Sequence, residues 1–105
     1  KVGVIIYSND PETAWNAFRF GNFALASGDN VRAFLIGKGV ECHLCSTDKF
    51  NVTEQIQAFV SGGGKIHACG TCLDIHQLKP SALFTVATLK DLHDIVQGSD
   101  KIVTF

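Results

Sequence analysis

Val2–Tyr7 reads VGVIIY and runs directly into Ser8–Pro11, SNDP. The first stretch is a continuous, β-branched apolar run, the pattern of a strand buried on both faces. It is far shorter than the ~20 apolar residues of a membrane span, and too short for the core of a secretory leader. Pro11 suits the first turn of a helix, where its missing amide hydrogen costs nothing, and Asp10 is placed to cap that turn. A buried strand that turns sharply into a helix is the opening of an α/β unit.

The rest of the chain repeats this alternation. The first helix is predicted to run to about Ser27 and stop at Gly28, and Asn30–Ile36 (NVRAFLI) is a second strand. Gly37–Phe50 reads as a long loop carrying Cys42-His43-Leu44-Cys45. Asn51 with Glu54 resembles a capping box, and Ile56, Phe59 and Val60 form one helical stripe that Gly62–Gly64 ends. Lys65–Cys69 (KIHAC) is a third strand and Leu83–Ala87 a fourth. Thr88 with Asp91 opens a last helix with Leu89, Leu92 and Val96 on its apolar side, and Lys101–Phe105 (KIVTF) is the fifth strand. Strands alternating with helices predict a three-layer α/β/α domain around a five-stranded parallel sheet. The expected strand order is 2-1-3-4-5, the flavodoxin-like arrangement, with a crevice between strands one and three where the winding reverses.

With 105 residues the chain is read as a single domain over 1–105. A chain this long buries about two-thirds of the surface it exposes when unfolded, so it needs neither metal nor disulfide to fold. A net charge of −1 with scattered lysines excludes the basic surface of a nucleic-acid binder. With no leader or membrane segment legible, the expected location is cytoplasmic, and four cysteines there point to thiol or metal chemistry rather than a disulfide framework.

The first helix carries an unusually wide aromatic arc. Phe18 and Phe20 lie roughly 200° apart around its axis, with Trp15 and Phe23 between them, whereas packing on one sheet needs an apolar stripe just over about 100° wide. Either neighbouring loops cover the excess, or a second chain does; self-association is the expectation.

His67–His76, HACGTCLDIH, carries the chemistry. Cys69 ends the third strand and begins a turn into a short helix, whose amides would stabilise a thiolate. Gly70 and Thr71 would contribute those amides, Cys72 lies within reach as a resolving thiol, and Ser8 and Asn9 would form the opposite lip of the crevice as substrate-binding residues. The plainer alternative makes Cys69 a small apolar residue at a strand end. His67 is expected to be a satisfied, half-buried side chain, His76 to face the rim if the turn continues as helix, and His43 and His93 to lie in solvent.

All four cysteines are expected on one rim, so zinc competes. The gap between the CxxC pairs slightly exceeds the usual ~15–20 residues, and a helix and strand lie within it; no metal is expected. A thioredoxin-type dithiol would follow an earlier strand. Flavin is rejected because SNDPETAW has no glycine to cradle phosphate and carries Asp10 and Glu12, whose charges repel it.

VGVIIYSND, KIHACGTC and LKDLHDIVQGSDKIVTF, in this order and spacing, resemble the DsrE/DsrF-like family of small sulfur-relay proteins over essentially the whole chain. The resemblance implies homotrimers or homohexamers, and sulfane sulfur carried as a persulfide on the cysteine matching Cys69. It also implies sulfur donor and acceptor proteins as partners, no cofactor, and activity as a carrier or sulfurtransferase. Cys72, Cys42 and Cys45 exceed what a simple carrier needs. They keep open a redox-active or zinc-binding CxxC module without sulfurtransferase activity.

Overall fold

A computed structural model describes residues 1–105. The elements in chain order are β1 (Val2–Ile6), α1 (Pro11–Ala26), β2 (Val31–Leu35), a run of 3-10 turns (Gly37–Leu44), α2 (Val52–Ser61), β3 (Lys65–Cys69), α3 (Gly70–Ile75), β4 (Thr85–Ala87), α4 (Leu89–Gly98) and β5 (Lys101–Thr104). The helix starts are those the sequence marks. The Thr13 amide donates to Asp10 Oδ2 at 3.0 Å, the Glu54 amide to Asn51 Oδ1 at 3.1 Å, and the Thr88 amide to Asp91 Oδ2 at 2.8 Å.

Every strand pair is parallel, and the fold class is the expected one. The strand order is different: it is β4-β3-β2-β1-β5, so β2 lies between β1 and β3. Both orders obey right-handed crossovers; what differs is the direction in which the chain steps. Here it steps one way through β1, β2, β3 and β4, and only α4 carries it back to set β5 beside β1. Right-handed connections therefore put α1 and α2 together on one face and α4 on the other.

That arrangement divides the core. Val4, Ile6, Val31, Ala33, Leu35, Ile66 and Ala68 point to the α1/α2 face, where Phe18 and Phe59 meet edge to face with ring centroids 5.5 Å apart. Gly21 permits this approach, since a Cβ there would stand 2.8 Å from the Phe59 ring. The other face has a small cluster of Phe34, Cys69, Ala87 and Ile95. Ile95 and Leu92 make the contact of α4; Leu89 and Val96, expected on its buried side, remain exposed.

The aromatic arc of α1 has a mixed explanation. Phe18 packs on α2, Trp15 meets Phe50 at a tilt of 59° with centroids 5.4 Å apart, and Phe20 leans on Phe105 at 6.2 Å. Phe23 stays 74% exposed. The expected loop between β2 and α2 is in large part helical turns, packed inward on Gly39, Val40 and Cys42. Gly39 lies against the β1 backbone so closely that no Cβ fits beside the Ile6 carbonyl. No helix is long and apolar enough to cross a membrane.

Candidate functional site: a thiol pair in an apolar cleft

In a parallel sheet all strands end on one edge, and here the ends of β2, β3 and β4 enclose a cleft of about 450 Å³. Cys69 closes β3 opposite Ala87 of β4. Its walls are Ile36, Val86, Ala87, Thr88 and Leu89, with Cys69, Gly70, Thr71 and Cys72 on the side of β3 and α3. Cys69 is only 5% exposed, and it forms part of the cleft wall. Cys69 is thus a buried residue at the edge of an open cleft.

The local electrostatics depart from the expectation. Cys69 occupies the capping position of α3, yet its side chain receives no hydrogen bond from the first-turn amides, those of Gly70 and Thr71 included. The amide that does reach a sulfur comes from Gly37, just past β2, and donates to Cys72 Sγ at 3.2 Å. Burial pushes the Cys72 thiol up; the Gly37 amide opposes that rise, and the neighbouring Cys69 thiol adds to it. Cys69 and Cys72 stand three positions apart at the start of α3, and both line the cleft.

Ser8 and Asn9 are not the opposite lip. With β2 inserted between β1 and β3, the β1 loop is one strand removed, and neither residue lines the cleft. Ser8 Oγ accepts from the Asp10 amide at 3.0 Å, and Asn9 Nδ2 donates to Glu41 Oε1 at 3.3 Å. His76 ends α3 and places Nδ1 3.2 Å from the same Glu41 oxygen, which ties the helix bearing Cys72 to the 3-10 segment. Glu41 had no sequence signal, because the segment holding it reads as loop.

The expected gathering of all four cysteines on one rim is also overturned. Cys42 is fully buried in the α1/α2-face core, while Cys69 belongs to the α4-face cluster. Cys45 Sγ donates to the Cys42 carbonyl at 3.0 Å. No three His, Cys, Asp or Glu side chains converge as a ligand set. Cys72 packs against both clusters, so what sets the two CxxC pairs apart is burial: Cys42 is sealed in the core, whereas Cys69 and Cys72 line the cleft. His43, expected in solvent, is half-buried edge-on to Phe84 with centroids 5.3 Å apart, and burial lowers its pKa. His67 is half-buried as expected; burial lowers its pKa while Asp91 of α4 pulls the other way.

Burial pushes the Cys42 thiol up to about 12, with Cys45 adding to the rise. The folded chain keeps this proton at pH values where an unfolded thiol loses it. Stability from Cys42 is thus whole below about pH 8.5 and is lost as pH climbs above it, by up to ~1.4 kcal/mol per pH unit. Urea titrations from about pH 8.5 to 10.5 will show a steeper decline for the wild type than for Cys42→Ala; equal slopes contradict the assignment.

A parallel α/β domain with a thiol pair where an inner strand meets a helix start is the class that fold and site define. The chain belongs to the DsrE/DsrF-like family, which matches residues 1–105. It is 32% identical over 100 residues to the uncharacterized protein MJ0989 of Methanocaldococcus jannaschii, covering 90% of this chain and 88% of that one. It is 29% identical over 100 residues to the uncharacterized protein MK0008 of Methanopyrus kandleri, covering 90% and 83%. The fold is that of the Escherichia coli ychN protein, with a TM-score of 0.82, 21% identity, and 100% and 99% of the two chains covered. BT1422 of Bacteroides thetaiotaomicron, a protein of unknown function, shares it with a TM-score of 0.76, 18% identity, and coverage of 99% and 94%.

Proposed function

We propose that this protein is a sulfur carrier in which Cys69 takes sulfane sulfur from a donor persulfide and delivers it to an acceptor thiol. One observation carries the reading: Cys69 and Cys72 share the wall of a cleft open at the carboxyl edge of the sheet. Membership of a family of sulfur-relay proteins supports it.

The chemistry needs only thiols. The Cys69 thiolate attacks the outer sulfur of R–S–SH, the donor S–S bond breaks, R–S⁻ leaves, and Cys69 holds –S–SH. An acceptor thiolate then attacks that outer sulfur and regenerates the Cys69 thiolate. Without an acceptor, the Cys72 thiolate attacks the inner sulfur, closes a Cys69–Cys72 disulfide and expels HS⁻. The outward-facing Phe23 on α1 supports self-association as homotrimers or homohexamers, in which donor and acceptor proteins would meet several clefts per particle. A cytoplasmic setting, where thiols stay reduced, is part of the same proposal.

The shared place of Cys69 and Cys72 in the cleft wall also favours a second reading, a dithiol cycling with its disulfide. The readings separate when the protein is loaded with donor persulfide, freed of excess, and mixed with a small acceptor thiol. A carrier returns one sulfane sulfur to the acceptor for each sulfur lost. A plain dithiol releases sulfide only and accumulates disulfide, and that result would remove the carrier reading.

A further inference from the structure

The wall of the cleft is uniform in one respect. Ile36, Val86, Ala87 and Leu89 supply its apolar surface, Thr71 and Thr88 its polar groups, and no Asp, Glu, Lys, Arg or His lines it. Val86 and Leu89 are 47% and 65% exposed, so their side chains form the open part of the wall rather than the protein core. The cleft's volume, about 450 Å³, falls in the range of roughly 300–1,000 Å³ that holds small organic molecules. A charged ligand entering it would give up hydration with no opposite charge to receive it, a cost that neutral groups do not meet.

We infer that the β4–α4 side of the cleft, Val86 to Leu89, selects an uncharged, apolar organic group on the sulfur compound that reaches Cys69. The specificity element is thus separate from the thiols and lies later in the chain. This inference rests on the site assignment proposed above, but not on the transfer of a lone sulfur atom.

Methanethiosulfonates test it, because the thiolate attacks their sulfenyl sulfur, an R–S–S–Cys bond forms, and methanesulfinate leaves. They deliver a whole RS group, so their rates do not depend on whether the protein relays sulfur. Rates at Cys69 and Cys72 would be measured by peptide mapping for the benzyl reagent and the 2-sulfonatoethyl reagent. Each is divided by the rate for a short unstructured peptide with one cysteine. The expected preference for benzyl is about tenfold or more over the peptide's, a difference of ~1.4 kcal/mol. A preference no greater than the peptide's overturns the inference.

Leu89→Lys supplies the second arm, at an exposed position where the fold does not depend on the side chain. It should raise the sulfonate rate and narrow the preference by about fivefold, as a cation in the wall now receives the anion. An unchanged preference in this variant overturns the role given to Leu89. If persulfide loading fails while the benzyl preference stands, the carrier reading falls and the specificity assignment remains. If loading succeeds without the preference, the reverse holds.

Discussion

Cys69→Ser will stop the protein from acquiring sulfur from a persulfide donor, with initial loading falling by at least about 100-fold, because the covalent step loses its nucleophile and Cys72 acts only as the resolving thiol. Cys69 packs with Phe34, Ala87 and Ile95, so a serine hydroxyl there costs some stability. Cys69→Ala keeps the site apolar and separates lost chemistry from lost folding. Cys72→Ser should load normally yet retain its sulfur longer without an acceptor, since no resolving thiol closes the disulfide. The Gly37 amide would then donate to the serine oxygen in place of Cys72 Sγ, where it now reaches 3.2 Å. The measurement is intact mass against time for the wild type and the three variants. Equal losses of loading in Cys69→Ser and Cys72→Ser would contradict distinct roles and favour the dithiol.

Phe59→Ala will destabilise the α1/α2 face by about 3–5 kcal/mol, a large share of the ~5–15 kcal/mol by which a domain of this size is stable. The ring is 1% exposed and meets Phe18 edge to face at 5.5 Å. Gly21 and Gly64 flank it closely and have no side chain with which to fill the space it would leave. The hole therefore persists, and the cavity term adds to the lost transfer energy. Urea denaturation gives the value. A loss under ~1 kcal/mol would mean that the α1–α2 contact is not what holds this layer.

Local chemistry made much of this fold legible. VGVIIY, the caps at Asp10, Asn51 and Thr88, and the glycines after α2 each act within a few residues, and each marks its element correctly. Strand order is a different kind of information. It depends on which sheet face each helix chooses, and that choice is expressed in the Phe18–Phe59 contact and in the space left by Gly21, both between elements distant in the chain. The inserted β2 then displaced Ser8 and Asn9 from the cleft and brought the Gly37 amide to Cys72 instead.

The candidate site was legible to the same depth. Cys69 and Cys72 are three positions apart, so their meeting is local. The wall formed by Val86, Thr88 and Leu89 depends on β4 pairing with β3, which places Ala87 beside Cys69. Cys42 carried the same CxxC spacing and turned out fully buried, because spacing says nothing about which side of a sheet a residue reaches.

The most direct test of the account is to incubate the wild-type protein with a persulfide donor, block free thiols, and locate the added mass by peptide sequencing. One extra sulfur atom is expected, on Cys69, with Cys42 and Cys45 unmodified. Sulfur found on Cys45 or Cys72 with Cys69 unmodified, or no added sulfur while Cys69 stays reduced and accessible to alkylation, would contradict it.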